Sequence, residues 1–152
     1  MPPSGPILLC YDRSASARRA VETAARLFPG HTAIVLHVWS PLAVLAAAYG
    51  AVALDAYDEG DLQRGAQGVA EEGAELARAA GLDAQAVLAE AGYEGTWHTI
   101  VNASAEHGAG VIVLGARGLS TFQSALLGSV SHGVAQHAHV PVLIVPPAAP
   151  GA

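Results

Sequence analysis

Short runs rich in aliphatic and β-branched residues recur along the chain, at Ile7 to Tyr11, Thr32 to Trp39, Ala84 to Ala89, Val111 to Leu114 and Val140 to Val145. Between them the apolar residues repeat at helical rather than alternating spacing. Ala17, Ala20, Val21, Ala24, Ala25 and Leu27 form one stripe of a helix over Ala15 to Phe28, with Arg18, Arg19, Glu22 and Arg26 largely opposite. Leu62 to Ala80, Thr96 to Glu106 and Gly128 to Ala138 repeat that pattern. Strands with no polar face are covered on both sides, and each strand–helix–strand crossover returns right-handed to the same sheet. The chain is therefore expected to form one open, doubly wound α/β domain over residues 1–147, with helices on both faces of a parallel five-stranded sheet and a disordered Pro- and Ala-rich tail.

Two stretches are less regular. Leu42 to Leu54 is apolar and Ala-rich and the chain turns acidic from Asp55 to Asp61, so residues 41–60 read as a loop or short helix over an edge of the sheet. Gly65, Gly68 and Gly73 weaken the helix over Leu62 to Ala80 by about 1 kcal/mol each against Ala, so packing must hold it.

Composition narrows the function. The chain of 152 residues has no lysine, its seven basic residues are all arginine, and its formal charge is −6. A general nucleic-acid binder neutralises phosphates with clustered cations. A Walker-type phosphate loop and a Schiff-base site each need a lysine. All three are excluded, and an anionic ligand has to be held by something other than side-chain charge. The single Cys10 lies in an apolar run and supports neither an intramolecular disulfide nor a thiolate metal cluster, as expected of a cytoplasmic chain. Met1 to Gly5 lacks the basic start of a signal peptide, and Leu42 to Leu54 falls short of the ~20 residues that span a bilayer. No membrane partner is expected. Alanine makes up about a fifth of the residues and aromatics 5%, which favours helices packed close to the sheet.

In an open parallel sheet, ligands bind beyond the carboxyl ends of the strands where the strand order reverses. The loops after the first and fourth strands are the ones to search. The loop after the fourth reads Gly115-Ala116-Arg117-Gly118, then nine residues, then Gly128-Ser129 at the start of the last helix. Glycines permit backbone conformations closed to other residues and close approach of a ligand to the main chain. Gly128-Ser129 presents backbone N–H groups at a helix N-terminus, where unpaired donors and the partial positive charge suit a phosphate. Successive N–H groups of this kind cradle an anion without any lysine.

This Gly-x2-Gly-x9-Gly-Ser spacing, followed by Val130 and closed by Pro141-Val142-Leu143-Ile144-Val145, resembles the universal stress protein family, and specifically its ATP-binding members. The similarity runs nearly end to end, from the strand and turn at Ile7 to Ser14 through His37-Val38 to the final strand. The resemblance implies a sheet of order 3-2-1-4-5 and a homodimer formed through the last strand, Val140 to Val145. It also implies ATP with Mg²⁺ as the ligand. Gly115, Gly118, Gly128 and Ser129 would then hold the triphosphate and ribose, with Val130 behind them, Val38 at the adenine and Asp12 on the ribose and metal side. Arg13 stands where the family commonly has a small residue.

Plainer readings compete with these. Asp12 is equally suited to cap the first helix and Val38 to sit in the core, and Arg117, a candidate phosphate contact, reads equally as a solvated loop residue. His132, His137 and His139 lack the spacing of paired metal ligands, and His37 reads as a core strand residue. Tyr49 and Tyr57 read as lid or packing residues. No Gly-x-Ser-x-Gly elbow supports a hydrolase built on Ser14 or Ser16, and Asp-Arg-Ser in the first strand–helix turn is not a dinucleotide fingerprint. With no positioned base for an attacking water, any ATP hydrolysis is expected to be slow. The expected function is that of a nucleotide-dependent regulator or sensor in stress response; the alternative is an interaction module of the same fold that holds no nucleotide.

Overall fold

The computed structural model describes residues 3–50, 56–118 and 127–149. The strands are β1 (Ile7–Cys10), β2 (Thr32–Trp39), β3 (Asp83–Glu90), β4 (Val111–Gly115) and β5 (Val142–Val145), and the helices α1 (Ala15–Leu27), α2 (Leu42–Tyr49), α3 (Glu59–Ala79), α4 (Thr96–Glu106) and α5 (Ser129–His137). The sheet is parallel throughout in the order β3-β2-β1-β4-β5. This is the expected fold class and strand order.

Residue alternation along β1 divides the core. Ile7, Leu9 and Tyr11 face the layer formed by α1 and α3, together with Val35 and Val113. Leu8 faces α4 and α5, together with Ile34, Leu36, Ile112 and Leu114. Both sets are buried, so the central strands carry no polar face. Helix α3 approaches the sheet through Ala66, Ala70, Gly73, Ala74 and Ala77, a stripe of small residues at helical spacing.

Several element boundaries differ from the sequence reading. Helix α3 begins at Glu59, three residues before Leu62, because Asp58 caps it by accepting the Asp61 N–H at 3.0 Å. Glu59 and Asp61 then lie in the first turn, where negative charge suits the helix dipole. The acidic run that looked like loop is thus partly a helix start. Strand β5 begins at Val142 rather than Val140, and β1 ends at Cys10. The short helix allowed for at 41–60 is α2, but none of its residues is buried, so it does not pack closely over a sheet edge. Leu45 and its apolar neighbours have no polar face to direct such packing. Residues 51–55 lie outside the described residues, as do 119–126, with Ser120, Thr121 and Ser124, and the end of the tail at 150–152. Tyr49 and Tyr57 are 85% and 56% exposed and neither packs nor borders the cleft described below.

The glycines of α3 separate into two kinds. A Cβ on Gly73 would lie 2.6 Å from Tyr11 Cδ1 and 2.9 Å from Val35 Cγ1, whereas one on Gly68 would meet nothing within 4 Å. Gly68→Ala is therefore expected to stabilise the fold by about 0.5–1 kcal/mol through helix propensity alone. Gly73→Ala should destabilise it by a net ~1–2 kcal/mol, because overpacking outweighs that gain. Urea denaturation of both variants checks the pair; equal effects would contradict the close approach of α3 to Tyr11.

Candidate functional site

Beyond the carboxyl ends of β1 and β4 lies an open cleft lined by the loops that leave both strands. It lies where the strand order reverses, between β1, which pairs with β2, and β4, which pairs with β5. Asp12, Val38, Gly115, Arg117, Gly118, Gly128, Ser129 and Val130, drawn from distant parts of the chain, all line it.

One wall is the β1–α1 loop. Tyr11 N–H donates to Leu36 O at 2.9 Å, extending the β1–β2 ladder by one residue. The Tyr11 carbonyl accepts from His37 Nδ1 at 2.8 Å, so that nitrogen carries the proton. His37 is thus a half-buried brace of this wall as well as a strand residue. Asp12 does not cap α1. The cap is Ser14, whose Oγ accepts the Ala17 N–H at 3.1 Å, while Asp12 Oδ1 accepts the Ser14 N–H at 2.9 Å. That leaves Asp12 Oδ2 facing Gly118: a Cβ built there would lie 3.1 Å from it.

Arg13, between Asp12 and Ser14, has φ +66°, the one non-glycine residue in the left-handed region among those described. This conformation costs an L-residue roughly 1–2 kcal/mol. Its guanidinium turns to α3, where Arg13 Nε donates to Glu72 Oε2 at 2.6 Å. Glu72 Oε1 accepts from Tyr11 OH at 2.6 Å and from Arg18 Nη2 at 3.0 Å. Arg13 therefore does not line the cleft. The hydrogen bonds from Tyr11 and Arg13 hold the Glu72 carboxyl below the usual glutamate range. Burial, reinforced by Glu72, pushes the Tyr11 phenol up to about 12.

The opposite wall is the loop from β4 to α5. Ala116 N–H donates to Val145 O at 2.8 Å, and Ala116 O accepts Gly128 N–H at 2.7 Å and Ser131 Oγ–H at 2.8 Å. These bonds hold the start of α5 against the end of β4. Among the described residues no side chain caps α5, and the first N–H groups of a helix have no acceptor within it. The glycines work differently from the sequence expectation. None of Gly115, Gly118 and Gly128 has a positive φ, so none is required for backbone freedom. A Cβ on Gly115 would lie 2.6 Å from Ser16 Oγ and 2.7 Å from Ser16 C, which makes that glycine a packing requirement of α1. Arg117 is only partly solvated. Its Nε is buried and finds no hydrogen-bond partner among the described residues, a donor suited to an anion.

Leu36, Val38, Ile100 and Leu114 give one end of the cleft an apolar lining, and Thr96 brings the start of α4 to its rim. Val38 is half-buried, packs against the core and also lines the cleft. Sequence reasoning missed Thr96 and Ile100; the signal was a helix start following the third strand, one turn apart on one face. Cys10 also lines the cleft, but burial and the nearby Asp12 carboxylate push its thiol up to about 12 and leave it protonated and unreactive. One free carboxylate oxygen fits a Mg²⁺ ion that takes most of its ligands from phosphates and water; Asp12 Oδ2 would be that donor. His137, considered above as a ligand, stacks on Trp97 at 4.2 Å and donates from Nδ1 to Gly133 O at 2.9 Å.

Known proteins resemble this chain in sequence and in fold. The profile of the "Universal stress protein family" matches residues 4–146. Universal stress protein YxiE of Bacillus subtilis (strain 168) is 50% identical over 48 residues, a match that spans 32% of this chain and 32% of that protein. Among solved structures, the universal stress protein from Archaeoglobus fulgidus in complex with dAMP superposes with a TM-score of 0.68 at 22% identity, covering 93% of this chain and 97% of the other. A universal stress protein in complex with cAMP gives a TM-score of 0.66 at 24% identity, covering 97% and 100%.

Three shifted groups make stability depend on pH: Cys10 and Tyr11 at the alkaline extreme, the Cys10 contribution fading as pH rises from about 9 toward about 12, and Glu72 at the acid extreme. The contribution of Tyr11 is whole below pH about 10, where an unfolded phenol titrates, and is lost as pH rises toward its folded value of about 12. That of Glu72 is whole above its ordinary value near 4.3 and is lost as pH falls below it. In denaturant titrations, Tyr11→Phe should reduce the alkaline loss to the share that Cys10 contributes, and Glu72→Gln should flatten the acid limb; wild-type slopes in both variants would rule the network out as their source.

Proposed function

Because the chain belongs to the universal stress protein family, we propose that it is an ATP-binding, homodimeric member acting as a nucleotide-dependent regulator or sensor in stress response, with at most slow hydrolysis. One observation carries the reading. A single cleft joins an apolar lining from Leu36, Val38, Ile100 and Leu114 to the uncapped N-terminus of α5, the buried Arg117 Nε and the free oxygen of Asp12. An adenine and a polyphosphate need those two ends side by side. The dAMP and cAMP held by two relatives support an adenine nucleotide as the ligand class. In this reading Val38 meets the base, Gly118, Gly128, Ser129 and Val130 surround the phosphates and ribose, Arg117 contacts a phosphate, and Asp12 holds Mg²⁺.

A second reading also has an observation in its favour. Gly115 is explained by its contact with Ser16 alone, as in an interaction module whose glycines only form turns. Freshly purified protein, denatured and assayed by chromatography and mass spectrometry, separates the two. Co-purified adenine nucleotide supports the first; its absence, with no thermal shift on adding Mg-ATP, supports the second. Gly118→Val should abolish nucleotide retention in a folded protein, because a branched side chain would crowd the Asp12 carboxylate at the cleft mouth. Retention at the wild-type level would refute the site.

The dimer reading rests on β5, an edge strand whose Val142, Leu143 and Ile144 remain only half-buried. Within the segment Val140 to Val145 this edge suits pairing with a second copy. Val142→Asp is expected to sediment as a monomer while keeping its circular dichroism spectrum; an unchanged dimer would place the interface elsewhere.

A further inference from the structure

We propose that Glu72, on a helix that contributes no residue to the cleft, is the positioning residue of the cleft mouth: its carboxylate holds Arg13 in the left-handed conformation and so aims Asp12 at Gly118. The nucleotide part of this proposal rests on the reading above, but the conformational part does not. Arg13 is the pivot of the loop. Residues Asp12 and Ser14 on either side are joined by the 2.9 Å hydrogen bond from Ser14 N–H to Asp12 Oδ1, so a change at Arg13 breaks that bond and turns the carboxylate.

An arginine does not take φ +66° unaided, whereas a glycine would. What holds it is a carboxylate on which Tyr11 OH, Arg13 Nε and Arg18 Nη2 converge. A lone exposed ion pair would be too weak to rely on. Here the same acceptor is anchored from below by Tyr11, which is buried and fixed to β2 through its backbone N–H. Tyr11 and Arg13, two residues apart, thus reach one acceptor, and the residue between them is directed to the opposite side, into the cleft.

Three proteins test this: Glu72→Ala, Glu72→Gln, and Glu72→Ala combined with Arg13→Gly. In the nucleotide-free proteins, hydrogen exchange at the Ser14 amide should rise about tenfold in Glu72→Ala, the scale of a released left-handed bias. The amides of β1 should stay protected. Mg-ATP affinity, measured by calorimetry, should fall by a similar factor of about ten. Glu72→Gln, which keeps an acceptor, should lie between. Adding Arg13→Gly should restore both readouts to within about threefold of wild type, since glycine adopts the conformation without a latch. A purely structural role for Glu72 predicts no such rescue. Unchanged exchange in Glu72→Ala, or failure of Arg13→Gly to restore it, overturns the proposal. If the wild-type protein binds no Mg-ATP, the nucleotide reading fails, and the exchange data alone decide the role of Glu72.

Discussion

Everything at the candidate site depends on β1 pairing in parallel with β2 on one side and β4 on the other. Right-handed crossovers then force α1 and α3 onto one face and α4 and α5 onto the other. The loops leaving β1 and β4 diverge to opposite faces from adjacent strand ends, so the gap between them is a product of topology. The same geometry sets its electrostatics, because helices that follow parallel strands begin at the carboxyl edge of the sheet. Ser14 caps α1 from within, but among the described residues no side chain caps α4 or α5. The cleft is therefore bordered by helix N-termini, whose first N–H groups have no acceptor within the helix.

The small side chains that dominate the composition act through distance. Gly73 lets α3 rest on the ring of Tyr11, Gly115 lets α1 rest against the end of β4, and a Cβ on Gly133 would lie 2.5 Å from Trp97 Cγ, so that glycine lets α5 rest on the indole. In each case a helix gains contact with a strand or ring that any larger residue would hold away. The close fit of α3 in turn brings Glu72 within reach of the β1–α1 loop. Packing at the back of the sheet and the direction of a carboxylate in the cleft are thus parts of one arrangement.

Much of this was legible in the sequence because it depends on local pattern. The apolar runs of β1, β2 and β4 and the stripes of α1 and α4 required only their own residues, and the Gly-rich loop lay where the topology said a ligand would bind. What could not be read depends on partners distant in the chain. Asp12 looked like a helix cap, a role decided by whether it or Ser14 reaches the Ala17 N–H. Gly115 lines the cleft as expected, but its close packing against Ser16 could not be read. Glu72 resembled its exposed neighbours Glu71 and Glu75, since nothing in a helical stripe reveals a bond to a tyrosine 61 residues away. The left-handed φ of Arg13 was hidden for the same reason, because the residue type argues against it and only the latch permits it.

Charge arithmetic excluded polyanion partners, and the proposed site marks where that exclusion ends. A long nucleic acid is bound through many separate phosphates, each needing its own cation, and seven arginines spread over this fold do not supply them. A single polyphosphate presents all its charge at one place. Convergent backbone donors, one buried guanidinium nitrogen and a metal bridging to one carboxylate oxygen can meet that charge without altering the net charge of the chain. In such a site the direction of each group matters more than the number of charges. In the proposed site the Glu72 carboxylate, which reaches the β1–α1 loop from α3, therefore bears on the cleft more than another surface arginine would.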